Sequence, residues 1–137
     1  MSETTPKTPI PRRSLALVTL VVPDYDEAIA YYCGVLGFEL IEDEDQVRKR
    51  WVVVRPSEHG ANILLARASS AAQTAHIGDQ TGGRVGFFLH TTDFLADHAM
   101  YVARGVKFLE APRLEDYGMV AKFADRYGNI WDLLEPA

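Results

Sequence analysis

The chain has 137 residues, of which 47% are hydrophobic, and this composition fits one globular domain with its own core. Its formal net charge of -5, with acidic and basic residues interspersed, argues against nucleic acid or an anionic membrane surface as the main partner. The longest apolar run, from Leu15 to Pro23, is too short to cross a bilayer, and no apolar secretion segment precedes it, so we expect a cytoplasmic protein.

The first half of the chain has the pattern of a strand, a helix and three strands. Residues 1–13 contain three prolines and little apolar content, which predicts a flexible N-terminal tail. The run LALVTLVV is rich in β-branched residues and ends at a proline, as buried strands do. Asp24 and Glu27 then form a capping-box pattern, and Gly37 supplies a helix C-terminal signal. Three strand-like runs, FELIED, RWVVVRP and ANILLAR, complete a first module over about residues 14–67.

The second half repeats this order after a linker. Residues 68–83, ASSAAQTAHIGDQTGG, are small and polar and end in glycine, which predicts a linker or a mobile loop. RVGFFLH then reads as a strand, TTDFLADHAMYVARG as a helix, and VKFLE, MVAKFAD and NIWDLLE as three strands. These elements form a second module over about residues 84–136, within a single domain of residues 14–136.

The two modules can be aligned with each other. An offset of 69 residues pairs Leu17 with Gly86, and an offset of 68 residues pairs Leu64 with Asp132. Each module alone would leave one face of its sheet uncovered, so pairing the modules encloses a space. The sequence therefore predicts an α+β fold of two paired βαβββ modules that form a curved mixed sheet around an open cavity.

Two motifs carry a resemblance to a known family. LVVPDYDEAIAYYCGVLGFEL lies in the first module, and FADRYGNIWDLLE closes the second. Together they resemble the vicinal oxygen chelate superfamily, which includes glyoxalase I, bleomycin resistance proteins and extradiol dioxygenases, over roughly residues 14–136. The resemblance implies a glyoxalase-like fold and a cavity that is often completed in a homodimer.

The resemblance also implies where a metal ion would be held. In metal-dependent members, side chains from the first and last strand of each module bind a divalent ion, and these positions fall on Leu17, Leu64, Gly86 and Asp132. Only Asp132 carries a donor atom, whereas zinc and non-haem iron need three or four protein ligands. We therefore expect no metal cofactor. If a divalent metal does bind, Asp132 is the ligand that this set supplies.

The alternation of side chains along strands predicts the lining of the cavity. The apolar residues among them suit a flat, largely apolar organic molecule, although they could instead simply fill the space. His90 reads either as a rim residue bonded to nearby backbone or as a ligand or general base. Trp131 should point to the face of its strand opposite to that of Asp132, toward the helices. The predicted pocket residues are Leu17, Thr19, Asn62, Leu64, Gly86, Phe88, His90, Ile130 and, near the start of a strand, Tyr117.

Asp132 is a carboxylate inside an otherwise apolar strand, and three interpretations are open. Hydrogen bonds from Asn62, Thr19, backbone or water could retain it; it could bind a cationic or hydroxyl-bearing ligand; or it could be a catalytic general base. The sequence does not choose among them.

These observations favour a protein that binds a small, largely apolar organic ligand in a cavity that has lost most metal-ligand positions. One alternative is a lyase, isomerase or dioxygenase that uses a divalent metal held by Asp132 with His90 or His76. A second alternative is a metal-free acid-base enzyme that uses Asp132. We expect a homodimer, with no nucleic-acid and no membrane partner.

Overall fold

The structure is a computed structural model that describes residues 8–137. Residues 1–7, more than half of the predicted tail, lie outside the described residues, and residues 8–13 are exposed and belong to no helix or strand. No helix within the described range combines the length and apolar character needed to span a membrane.

The first module is a four-stranded mixed sheet with one helix. The order of the strands is β1-β4-β3-β2, in which β1 and β4 are parallel and the other neighbours are antiparallel. Its elements are β1 (Leu17–Val22), α1 (Tyr25–Gly34), β2 (Glu39–Gln46), β3 (Lys49–Arg55) and β4 (Asn62–Arg67).

The second module repeats this arrangement with a five-stranded sheet. The order is β5-β9-β8-β6, with β7 paired to β8, and β5 and β9 are parallel. Its elements, after a short linker helix α2 (Ala71–Ala75), are β5 (Val85–His90), α3 (Phe94–Ala103), β6 (Lys107–Phe108), β7 (Arg113–Glu115), β8 (Gly118–Ala124) and β9 (Ile130–Pro136). The repeated order confirms the predicted α+β fold of two βαβββ modules.

Three local features differ from the sequence predictions. The linker contains α2, whose N-cap Ser70 accepts a hydrogen bond from the backbone of Gln73. The predicted strand VKFLE is regular over only two residues, and the additional short strand β7 follows it. These elements are short, and their periodicity is too weak to be recognised in the sequence.

The two long helices begin at equivalent aspartates. Asp24 accepts a hydrogen bond from the backbone of Glu27 at 2.8 Å, and Asp93 accepts one from Ala96 at 3.2 Å. The reciprocal half of the predicted capping box, in which the Glu27 side chain would bind the N-cap residue, does not form. The Glu27 carboxylate instead accepts a hydrogen bond from the hydroxyl of Tyr127 and pairs with Arg126. The first helix is thereby tied to the turn between β8 and β9.

One hydrophobic core joins the two modules. Tyr32 of α1 packs against Trp131 of β9, with ring centroids 6.3 Å apart, and both side chains are almost fully buried. Tyr101 of α3 donates its hydroxyl to the carbonyl of Leu36 at 2.7 Å. Each buried aromatic side chain of this kind contributes about 2–3 kcal/mol through its burial. The helix-facing sides of both sheets therefore meet in the same core. Trp131 points into this core, toward the helices, as predicted, and it also borders the cavity described below.

Candidate functional site

A cavity of 710 Å³ lies beside β1 and β5, each of which is the edge strand of its sheet. We call it the inter-sheet cavity. It is bounded by the two edge strands, the turn between β3 and β4, the end of the linker, and Trp131. Its lining residues are Val18, Thr19, Pro56, Ser57, His59, Gly60, Ala61, Ile63, Gln80, Thr81, Gly86, Phe87, Phe88, Leu89, His90 and Trp131.

Aromatic side chains form one wall of the inter-sheet cavity. Phe87 stacks on Trp131 with ring centroids 4.4 Å apart and an interplanar angle of 22°. Phe88 follows on the opposite side of β5 and is 65% exposed, which is unusual for a phenylalanine on a strand. Val18 and Ile63 contribute aliphatic surface from the first sheet. Because Trp131 is almost fully buried, the flat, apolar contact area that this wall offers to an aromatic molecule comes mainly from Phe87 and Phe88.

The linker forms a second wall through Gln80. Its side-chain oxygen accepts from the backbone N–H of Val21 at 2.8 Å, and its amide nitrogen donates to the carbonyl of Thr19 at 2.7 Å. The amide thus pairs with the free edge of β1 as a neighbouring strand would. Next to it, the methyl group of Thr81 lies 2.8 Å from where a β-carbon on Gly86 would be, so a glycine permits this close approach.

The polar part of the lining contains two histidines. His59 lies in the turn between β3 and β4, and His90 is the last residue of β5; both are exposed. The hydroxyl of Ser57 donates to the carbonyl of His59 at 2.7 Å, which fixes the turn. Sequence reasoning placed His59 in a turn but could not associate it with His90, because the two residues belong to different modules.

The predicted pocket residues divide into two groups. Thr19, Gly86, Phe88 and His90 line the inter-sheet cavity. The others lie outside its lining: Leu17 and Asn62 are in-register neighbours on β1 and β4, Leu64 lines a second cavity, Ile130 is in register with Val85, and Tyr117 lies in the turn between β7 and β8. Whether any of these residues contacts a ligand stays a prediction.

The second cavity, of 620 Å³, lies beside α1 and has a charged lining. Arg50 binds Asp43 and Asp26 at 2.7 and 2.8 Å, and the hydrogen bonds to these carboxylates, first that of Asp43 and then that of Asp26, raise the pKa of its guanidinium above the ordinary value. The guanidinium groups of Arg50 and Arg67 lie over the ring of Tyr25. We call this space the charged cavity, because both acidic and basic side chains line it.

Asp132 lies on the outer face of the second sheet. The register of β5 and β9 places Phe88, rather than Gly86, opposite Asp132, because the register shifts between Val85 and Phe87. On its other side Asp132 is opposite Lys122 of β8. Its Oδ1 is buried and accepts no hydrogen bond from any residue in the described range 8–137. Asp132 is not part of the lining of the inter-sheet cavity.

A different carboxylate, Asp125, is the centre of a buried hydrogen-bond network. Its Oδ2 accepts from the hydroxyl of Tyr32 at 2.6 Å and from Asn129 and Trp131, each at 3.0 Å. Its Oδ1 accepts from the backbone N–H groups of Tyr127 and Asn129. Burial first, and then the charge of Asp125, hold the pKa of the Tyr32 hydroxyl far above its ordinary value. The sequence analysis identified the motif FADRYGNIWDLLE, which contains Asp125, but predicted no role for this residue.

The donor set does not fit the metal site of metal-dependent relatives. Leu17, Leu64 and Gly86 carry no side-chain donor, so a divalent ion at those positions would have a single protein ligand in Asp132. Elsewhere in residues 8–137, no group of three or more His, Cys, Asp or Glu side chains is arranged to hold a metal ion.

Comparison with known proteins identifies the family. The sequence model of the Glyoxalase/Bleomycin resistance protein/Dioxygenase superfamily matches residues 14–133. An uncharacterized protein from Shewanella frigidimarina (strain NCIMB 400) is 50% identical over 127 residues, covering 90% of this chain and 94% of that protein.

Solved structures agree with this match. UcmS2 is 27% identical, with a TM-score of 0.79, over 90% of this chain and 98% of its own. TnmS3, an antibiotic binding protein from Streptomyces sp. CB03234, is 27% identical, with a TM-score of 0.76, over 93% of this chain and 99% of its own. The resemblance based on the two sequence motifs is confirmed, and the chain belongs to the Glyoxalase/Bleomycin resistance protein/Dioxygenase superfamily.

Proposed function

We propose that this protein binds a small, largely apolar organic molecule with an aromatic ring system in the inter-sheet cavity. The observation that carries the proposal is the aromatic wall, in which Phe87 stacks on Trp131 beside an open space of 710 Å³. Ligand sites for small molecules typically measure about 300–1,000 Å³ and are lined mainly by apolar and aromatic groups. TnmS3 is described as an antibiotic binding protein, which supports small-molecule binding as the general class of activity.

Polar groups at the edge of the wall would orient such a ligand. The side-chain amide of Gln80 donates a hydrogen bond to the backbone carbonyl of Thr19 on β1, so the positions of both residues are fixed before a ligand enters. A preformed site saves the ordering cost that flexible side chains would impose on binding. We place this activity in the cytoplasm, as the sequence predicts.

We also propose that the protein acts as a homodimer. Phe88 and Leu114 are 65% and 78% exposed, and large apolar side chains exposed on strands favour association with another surface. A second copy that covers the outer face of the second sheet would also enclose Phe88 and the neighbouring Asp132.

Binding can be tested by fluorescence of Trp131. In a Trp51→Phe background, Trp131 is the single tryptophan, and titration with 2-naphthalenemethanol should quench its emission with a saturable curve. The variant Ala61→Phe adds a ring to the lining of the inter-sheet cavity and should weaken binding about tenfold or more, because it occupies the ligand's space.

Ala66→Phe is the matched control, because Ala66 lines the charged cavity instead. It should leave the dissociation constant within about twofold, as expected for a site that it does not touch. Equal losses in both variants, or saturable binding that neither changes, would refute the inter-sheet cavity as the site.

A further inference from the structure

Most side-chain donors in the lining of the inter-sheet cavity are already engaged. The hydroxyl groups of Ser57 and Thr81 each donate their one hydrogen to a backbone carbonyl, at 2.7 and 2.6 Å. The indole N–H of Trp131 donates to Asp125 at 3.0 Å. These three hydrogens are not free for a ligand, because each group has a single donor hydrogen. The hydroxyl of Thr19 and the two imidazoles of the lining belong to exposed residues, where water satisfies them.

Gln80 differs from these groups because its side-chain amide has an unused donor. A primary amide carries two N–H hydrogens. The nitrogen donates one of them to the carbonyl of Thr19 at 2.7 Å, while the oxygen accepts from the N–H of Val21 at 2.8 Å. No acceptor within residues 8–137 takes the second hydrogen. Gln80 is half-buried and lines the cavity, so this hydrogen is partly shielded from water and is held in place by the two bonds to β1.

The edge of β1 also fixes the direction of the second hydrogen. The N–H of Val21 requires an acceptor and the carbonyl of Thr19 requires a donor, so the amide oxygen of Gln80 must lie beside Val21 and its nitrogen beside Thr19. The second hydrogen, on the side of the nitrogen away from the oxygen, therefore points along β1 from Val21 past Thr19. This is the direction of the turn between β3 and β4, because Leu17 at the start of β1 is in register with Asn62 at the start of β4. Residues of that turn line the cavity, so the N–H points into it.

We infer that Gln80 determines which ligand the inter-sheet cavity accepts, by donating its second N–H to a carbonyl oxygen of the ligand. The ligand class is then an aromatic ketone, a quinone or another carbonyl-bearing ring system, whose ring lies against Phe87 and Phe88. A ring system without an acceptor would cover this N–H without replacing its hydrogen bond to water, which lowers the affinity. This inference rests on the proposed function, because it describes the ligand of the same cavity.

Two probes of nearly the same shape test the inference. 2-Acetonaphthone carries a carbonyl group on its naphthalene ring, and 2-isopropenylnaphthalene has a methylene group in place of the oxygen. Equilibrium dialysis gives the dissociation constant of each probe, and the ratio of the two constants is compared between the parent protein and its variants. This comparison cancels the difference in hydrophobicity between the probes, because that difference is the same for every variant.

Gln80→Met keeps the length of the side chain but removes both donor hydrogens. It should weaken binding of the ketone relative to the alkene by about fivefold, the typical effect of losing one hydrogen bond. Gln73→Met is the matched control. Gln73 belongs to the same linker, its amide oxygen accepts from the backbone of Ser69 at 2.8 Å, and it does not line the cavity. This variant should keep the ratio of the parent within about twofold.

The parent protein provides a second measurement that does not depend on the folding of a variant. In nuclear magnetic resonance spectra of the ¹⁵N-labelled protein, each hydrogen of the Gln80 side-chain amide gives its own signal. The ketone should move the signal of the hydrogen that does not bond to Thr19 further downfield than the alkene does, because only the ketone can accept a hydrogen bond there.

Three results would overturn the inference and leave the proposed function intact. The first is an unchanged ratio in Gln80→Met, and the second is the same shift of the Gln80 amide signals with both probes. The third is a ratio that changes in Thr19→Val but not in Gln80→Met, which would assign recognition to the Thr19 hydroxyl. Failure of both probes to bind the parent protein would overturn the proposed function together with the inference.

Discussion

Two aspartates near the last strand have contrasting environments. Asp125 accepts five hydrogen bonds, whereas the buried Oδ1 of Asp132 accepts none from the described residues. Side-chain alternation was enough to predict that Asp132 and Trp131 point to opposite faces of β9. It could not reveal the role of Asp125, because one of its donors, Tyr32, lies 93 residues away in the sequence.

The same substitution should therefore have different effects at the two positions. Asp125→Asn replaces one acceptor oxygen by a donor amide inside a network of donors, and we expect a loss of about 3 kcal/mol in the free energy of unfolding. Asp132→Asn should change that free energy by less than about 0.5 kcal/mol or increase it, because it neutralises a carboxylate with an unsatisfied oxygen. Urea unfolding followed by circular dichroism measures both values.

Tyr32→Phe is a second check on the network. It removes one donor to Asp125 without adding a new polar group and should cost about 1.5–2 kcal/mol. If Asp132→Asn lowered the free energy of unfolding as much as Asp125→Asn does, the Asp132 carboxylate would have to accept hydrogen bonds that are absent among the described residues.

The linker between the modules is the element that sequence analysis described least well. A small, polar, glycine-ended segment predicts a loop, and it gives no sign that Gln80 pairs with the edge of β1 or that Gly78 approaches the second module. The long helices and central strands were easier to predict, because caps, glycine signals and β-branched runs are local features. Contacts of the linker are set by the packing of distant elements, which no local pattern encodes.

Two glycines of the linker test its packing. Gly78 and Gly82 both have positive φ values, +75° and +68°, so each alanine substitution should cost about 1 kcal/mol in backbone strain. A β-carbon on Gly78 would also lie 1.7 Å from the carbonyl oxygen of Tyr127, whereas one on Gly82 would meet nothing within 4 Å. Gly78→Ala should therefore lower the free energy of unfolding by at least about 2 kcal/mol more than Gly82→Ala.

Thermal and urea unfolding of the two variants, compared with the parent, provide the measurement. Equal losses would show that residue 78 does not pack against the turn between β8 and β9, and that the linker wall of the inter-sheet cavity is not built as described.

At the scale of the whole molecule, the internal repeat predicted the architecture. Offsets of 68 and 69 residues aligned the modules, and the structure has two mixed sheets with the same order of equivalent strands. How the modules contact each other was not predictable in detail, because the core that joins them depends on side chains from α1, α3 and both sheets. For the same reason, the sequence predicted a cavity but assigned only part of its lining.

Association of two chains is tested by sedimentation equilibrium. A homodimer should have twice the chain mass of 15.3 kDa, and its unfolding midpoint should rise with protein concentration, since dimerisation stabilises the native state by mass action. A mass of one chain at every concentration, with a constant midpoint, would exclude a homodimer under those conditions.

The central claim is that an aromatic ligand binds between β1 and β5, and nuclear magnetic resonance tests it most directly. Titration of the ¹⁵N-labelled protein with 2-naphthalenemethanol should shift four signals with one common dissociation constant: the indole N–H of Trp131, the side-chain amide of Gln80, and the backbone amides of Gly60 and Gly86. Shifts confined to residues of the charged cavity around Tyr25 and Arg67, or no saturable shift at all, would contradict it.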